Sequence, residues 1–188
     1  MVNQYRLSDV TKDYVNEFYC ILDEMVQGMT QAELTDSISG NFIARMIPHH
    51  QAAIEMSYNI LRFTTDLCVQ EIAQQIISEQ TRSIENMCKI REECLRVCNT
   101  KRDVCLYERR VDQIMGTMFS HMEHACTTNQ INNDFMREMI PHHKGAVELS
   151  ENALCYPICP RLKPILQAII VSQKRGICQM QRLLCTRR

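Results

Sequence analysis

Apolar residues recur at spacings of three and four along almost the whole chain, the period of helices with one buried face. A first segment, about residues 10–32, carries the stripe Tyr14, Phe18, Leu22, Met25 and Met29. A second, about 41–63, follows Ser39-Gly40-Asn41, a cap-like stretch. A third, about 66–98, is striped by Ile72, Ile76, Ile84 and Met87, and Asn99-Thr100 breaks the pattern. A fourth, about 101–125, carries Val104, Tyr107, Val111, Met115, Met118 and Met122. Asn129 to Asn133 reads as a polar loop, a fifth helix covers about 134–154, Cys155 to Pro160 is a turn, and a sixth helix covers about 162–184. The pattern predicts an all-α fold of about six helices.

The chain says one phrase twice. Met46-Ile47-Pro48-His49-His50 returns as Met139-Ile140-Pro141-His142-His143, an offset of 93 residues. The same offset pairs Phe42 with Phe135, Ala53 with Ala146, Glu55 with Glu148, Ser57 with Ser150 and Asn59 with Asn152. It also aligns the flanking helices, pairing Met25 with Met118, Met29 with Met122, Gln80 with Gln173 and Met87 with Met180. Two copies are too few for a solenoid. The expectation is two three-helix repeats, residues 1–98 and 99–188, packed as one unit about a pseudo-twofold axis.

Placed on a helix, Phe42, Met46, His49, His50, Ala53, Met56 and Ile60 fall within one arc of about 120°. Both histidines of each phrase therefore point inward. A buried neutral imidazole without a partner costs on the order of a few kcal/mol, so each needs a hydrogen bond or a metal. Pro48 and Pro141 each remove a backbone donor just before the histidines, which frees a carbonyl and re-aims the rings. Glu55 and Glu148 fall opposite the apolar arc and face solvent. Gln80 and Gln173 lie in apolar stripes, where an amide could hold an imidazole N–H or satisfy a kinked carbonyl.

Neutral imidazole beside thioether suits Cu(I) first, then Cu(II) or Zn(II). The candidate ligands are His49, His50, Met46, Met25 and Met29 in the first copy. In the second they are His142, His143, Met139, Met118, Met122 and His121, the last at the edge of its methionine face. Gly28 stands where a first-copy counterpart of His121 would be. A methionine on an apolar stripe is ordinarily core filling, so sharing a face with histidine is what singles these out. His124 falls further round, exposed. None of the 11 cysteines forms a Cys-x-x-Cys pair, which argues against a zinc ribbon. They read as buried free thiols, or as a thiolate cluster at Cys94, Cys98 and Cys105.

Composition narrows the classes. The formal net charge of −1 points to neither nucleic acid nor an acidic membrane. Only 5 Gly, 5 Pro and no Trp favour helices. No apolar run reaches membrane-spanning length, and Met1 to Arg6 lacks the apolar core of an export signal. The expectation is a cytoplasmic protein with reduced thiols. A homo-oligomer is compatible with the sequence.

The phrase Phe-x-x-x-Met-Ile-Pro-His-His-x-x-Ala-[Ile/Val]-Glu, followed by Gln-x-x-x-Ile-x-x-Met, resembles the domain of unknown function 305 family. Both copies match, at Phe42 to Glu55 with Gln80 to Met87, and at Phe135 to Glu148 with Gln173 to Met180. The resemblance implies a ferritin-like helical bundle in two tandem copies. It also implies copper binding, since some members are secreted or periplasmic copper proteins associated with copper tolerance.

Three functions compete. The first is a non-catalytic soft-metal protein with one His-His/Met site per repeat. The second is a structural or partner-binding helical module without metal. The third, a ferritin-like di-metal oxidoreductase, requires Glu-x-x-His pairs, and none occurs. No nucleophile–base arrangement or phosphate-binding glycine loop is present, so the sequence leans away from an enzyme.

Overall fold

The computed structural model describes residues 6–186. Among these the chain forms helices and no strands: α1 (Asp9–Thr30), α2 (Ile38–Leu61), α3 (Leu67–Leu95), α4 (Lys101–Glu123), α5 (Ile131–Leu154) and α6 (Lys163–Thr186). Four starts are fixed by side-chain caps. Ser8, Ser37, Asp66 and Thr100 each accept a hydrogen bond from a backbone N–H of the first turn, satisfying donors that the helix leaves unpaired.

Two starts differ from the sequence expectation. Asn41 and Asp134 resemble caps but lie inside the first turn, three residues beyond the true starts of α2 and α5. Their side chains reach back along the chain. Asn41 Oδ1 accepts from Thr35 N at 2.8 Å, and Asp134 Oδ2 accepts from Thr128 N at 2.8 Å. Both residues are buried and pin the incoming loop to the helix. Ser37 caps α2 instead, and its hydroxyl also donates to the Cys94 carbonyl at 2.7 Å, tying that start to the end of α3.

α2 and α5 are the inner helices. α2 packs on α1, α3 and α5, α5 packs on α4 and α6, and α3 also meets α6. One continuous apolar core runs through all six. Matching hydrogen bonds recur 93 residues apart. Asn59 Nδ2 donates to the Tyr14 carbonyl at 2.9 Å, and Asn152 Nδ2 donates to the Tyr107 carbonyl at 3.2 Å. Ser57 and Ser150 donate to Ala53 and Ala146 carbonyls, each at 2.7 Å. No helix among the described residues is long and apolar enough to cross a membrane.

Gly28 shows how tightly the outer helix sits on the inner one. A Cβ there would lie 2.8 Å from Pro48 Cβ, part of a rigid ring. At Gly116, on the exposed side of α4, a Cβ would meet nothing within 4 Å. The same substitution should therefore have opposite signs. Gly28→Ala should lose about 1–2 kcal/mol as overpacking outweighs the gain in helix propensity. Gly116→Ala should gain up to about 1 kcal/mol. Urea unfolding of both variants checks this, and a stabilised Gly28→Ala would show that α1 is not held against Pro48.

Candidate functional site

The two His-His phrases meet where α2 faces α5. His49 Nε2 lies 3.3 Å from the His142 carbonyl oxygen, and His142 Nε2 lies 3.1 Å from that of His49. The two rings stack, with centroids 3.7 Å apart and planes tilted by 31°. A carbonyl only accepts, so both rings carry their proton on Nε2. Each Nδ1 is then a bare acceptor, buried and without a partner.

The outer two rings extend the row. His50 and His143 lie 5.8 Å and 5.9 Å, centroid to centroid, from His49 and His142. His50 Nε2 is 3.1 Å from Ser83 Oγ on α3. The matching position on α6 is Gly176, where a Cβ would come within 3.0 Å of the His143 ring. One outer histidine thus meets a hydroxyl and the other a bare backbone. All four rings are at most 2% exposed.

Burial is the main force on their charge. It holds His49 and His143 well below the ordinary imidazole range, with neighbouring histidines pushing the same way. It lowers His50 to about 3 and His142 to about 4, the latter opposed by its bond to the His49 carbonyl. The row is neutral at neutral pH, the form in which imidazole offers lone pairs.

The methionines singled out in the sequence, Met25, Met29, Met46, Met118, Met122 and Met139, are all buried in the one core. His121 is exposed in the last turn of α4, away from the buried character of the four rings. His124 is also exposed, and its Nδ1 donates to the Ser120 carbonyl 2.8 Å away. Gln80 and Gln173 are buried as expected but hold no imidazole. Ser83 partners His50, while Gln80 Oε1 and Nε2 and Gln173 Oε1 have no partner. Among the described residues no group of three or more His, Cys, Asp or Glu side chains is placed to hold a metal ion.

A polar seam that the sequence reading passed over runs beneath the inner rings. Four residues before His49 stands Arg45, and four before His142 stands Glu138, both buried. Arg45 Nη2 is 2.7 Å from Glu108 Oε2 on α4. Glu138 takes a hydrogen bond from the Tyr14 hydroxyl of α1, and burial pushes its carboxyl up to about 8. The spacing of four (Asn41, Arg45, His49 and Asp134, Glu138, His142) was the available signal, since it puts each set on one helix face. Cys159 was also missed. It is buried with Cys94 as its thiol partner, whereas Cys98 and Cys105 are exposed.

These shifts give stability two opposed pH limbs. The folded state keeps each buried imidazole neutral, while an unfolded imidazole takes up a proton below about 6.5. Stability from the four rings is thus full above that pH and drains as pH falls toward the folded values. Glu138 has the other sign. Its folded carboxyl keeps a proton that the unfolded one loses near 4.5, so its contribution is full below 4.5 and is lost as pH rises through about 8. Each proton is worth up to about 1.4 kcal/mol per pH unit. Urea unfolding of the wild type should show a maximum at about pH 7, where the unfolded imidazoles together take up about one proton and offset Glu138, with a decline toward pH 8. Glu138→Gln should abolish that decline and keep the acid limb. An unchanged decline would place the ionising group elsewhere.

Comparison with known proteins bears on this arrangement. The model of the domain of unknown function DUF305 matches residues 39–184, a single match spanning both His-His phrases. No curated protein matches in sequence. Among solved structures, one described as a crystal structure of a DUF305 fragment from Deinococcus radiodurans is similar with a TM-score of 0.58 at 20% identity, covering 79% of this chain and 96% of that one. That likeness speaks to the fold. The family match takes in α5, nearly all of α2 and α6, and the whole histidine row, and on that extent the chain belongs to the DUF305 family.

Proposed function

We propose that this chain is a non-catalytic metal-binding protein, with Cu(I) the favoured ion and the row His50, His49, His142, His143 as its centre. The observation that carries the reading is the pair of buried, neutral inner imidazoles, His49 and His142, whose Nδ1 atoms are acceptors without a partner. Such acceptors cost free energy unless something satisfies them. A soft cation takes neutral nitrogen and thioether sulfur together, and Met46 and Met139 precede the inner histidines by one turn on the same buried face. A tetrahedral zinc centre has less support, because it needs three or four converging protein ligands. His49 and His142 are in ring contact, so we read the two sites expected from the sequence as one joint centre.

The matched hydrogen bonds 93 residues apart support reading the bundle as two three-helix units, 1–98 and 99–188; a ferritin-like arrangement of them rests on the family resemblance alone. Eleven free thiols favour a reducing, cytoplasmic setting.

A second reading rests on a different observation. All four histidines already have a hydrogen-bond partner, His143 at the Met139 backbone, as core histidines of a metal-free structural or partner-binding module would. Anaerobic Cu(I) titration against a competing chelator separates the two. It should use protein whose nine exposed cysteines are replaced by serine, so that surface thiols do not compete. About one tightly held equivalent, lost in His49→Ala/His50→Ala/His142→Ala/His143→Ala, is the expected result. Absence of binding by the folded parent would overturn the metal reading and favour the structural one. Equal binding by both proteins would move the ion to Cys94 and Cys159.

A further inference from the structure

Between α3 and α6 lies a cleft of about 460 Å³, within the range of small-molecule sites. Its floor is made by Gln80 and Gln173, 2% and 4% exposed, beside the His50–Ser83 pair. One wall is apolar, formed by Ile165, Ala168 and Ile169 of α6. The rim is charged, with Arg175 paired to Glu79, and Arg82 exposed.

The floor sets the chemistry of the occupant. Gln80 Oε1, Gln80 Nε2 and Gln173 Oε1 are buried and unpartnered. Together they ask for two donors and one acceptor. A primary carboxamide offers two N–H donors and one carbonyl on a single planar group. A carboxylate brings acceptors only and would face two amide oxygens. An ammonium or guanidinium brings donors only and leaves the Gln80 N–H group unmet. Arg82 attracts anions only from the solvent-exposed rim, where water and salt screen it. The apolar wall suits a flat hydrocarbon body behind the polar group.

We propose that this cleft binds a small primary carboxamide with an apolar body, its amide seated on Gln80 and Gln173. The inference does not rest on metal binding, and its test uses chelator-treated protein, so the two readings fail independently. Benzamide is the probe, with benzoate and benzylamine as matched controls, followed by calorimetry and by the side-chain amide resonances of Gln80 and Gln173. Expected is saturable one-to-one binding of benzamide that shifts those resonances, with both controls weaker by roughly tenfold or more. The Gln80→Leu/Gln173→Leu variant should lose binding by a similar factor. Ala168→Phe changes an exposed helical position and fills the cleft from its apolar wall, so it should block binding in a folded protein. No saturable binding by the folded wild type, equal binding of benzamide and benzoate, or binding that survives both variants would overturn the proposal.

Discussion

Everything central in this bundle depends on one contact, the reciprocal bond in which His49 and His142 each give an Nε2 proton to the other's backbone carbonyl. The contact joins the two inner helices at their closest functional point and fixes both rings as one tautomer. It also stacks them at 3.7 Å, a spacing two imidazolium ions could not hold in a buried site. Neutrality is therefore a condition of the packing as well as a result of burial. Arg45 and Glu138, one turn earlier on the same faces, each find a partner on an outer helix, so the seam beneath the rings ties α4 and α1 to the crossing.

The same contact leaves the site with unspent capacity. Fixing the proton on Nε2 of His49 and His142 turns each Nδ1 into a lone pair with nothing to accept. A core selected for stability alone would place carbon there, since a buried polar atom without a partner is a net cost. The asymmetry between Ser83 and Gly176 has a consequence of its own. The His50 end is tethered to α3 beside the cleft, while the His143 end packs on the glycine backbone of α6.

The fold was largely legible in the chain because helical periodicity is a local property. Stripes such as Tyr14–Phe18–Leu22 and Tyr107–Val111–Met115 place the buried faces of α1 and α4 directly. The start of α2 was misplaced by three residues because Asn41 carries a cap-type side chain, and that of α5 because Asn132 and Asn133 read as loop, whereas Asn41 and Asp134 use their side chains to hold the preceding loop. Inward aim of the four histidines followed from the wheel. Their mutual contact did not, because it depends on how two distant helices cross. Arg45 and Glu138 were passed over because charged residues are ordinarily solvated, and only the partners on α4 and α1 make their burial affordable. Gln80 and Gln173 were placed correctly in the interior and given the wrong neighbour, since a wheel gives direction but not reach.

The most direct measurement is long-range proton–nitrogen correlation NMR on protein labelled with nitrogen-15 in histidine, at neutral pH and without metal, assigned with single His→Gln variants. The expected spectrum has four neutral imidazoles that exchange slowly with solvent, with His49 and His142 both in the Nε2–H form. An imidazolium pattern at any of the four, or a proton on Nδ1 of His49 or His142, would contradict the reciprocal bond on which this description of the bundle is built.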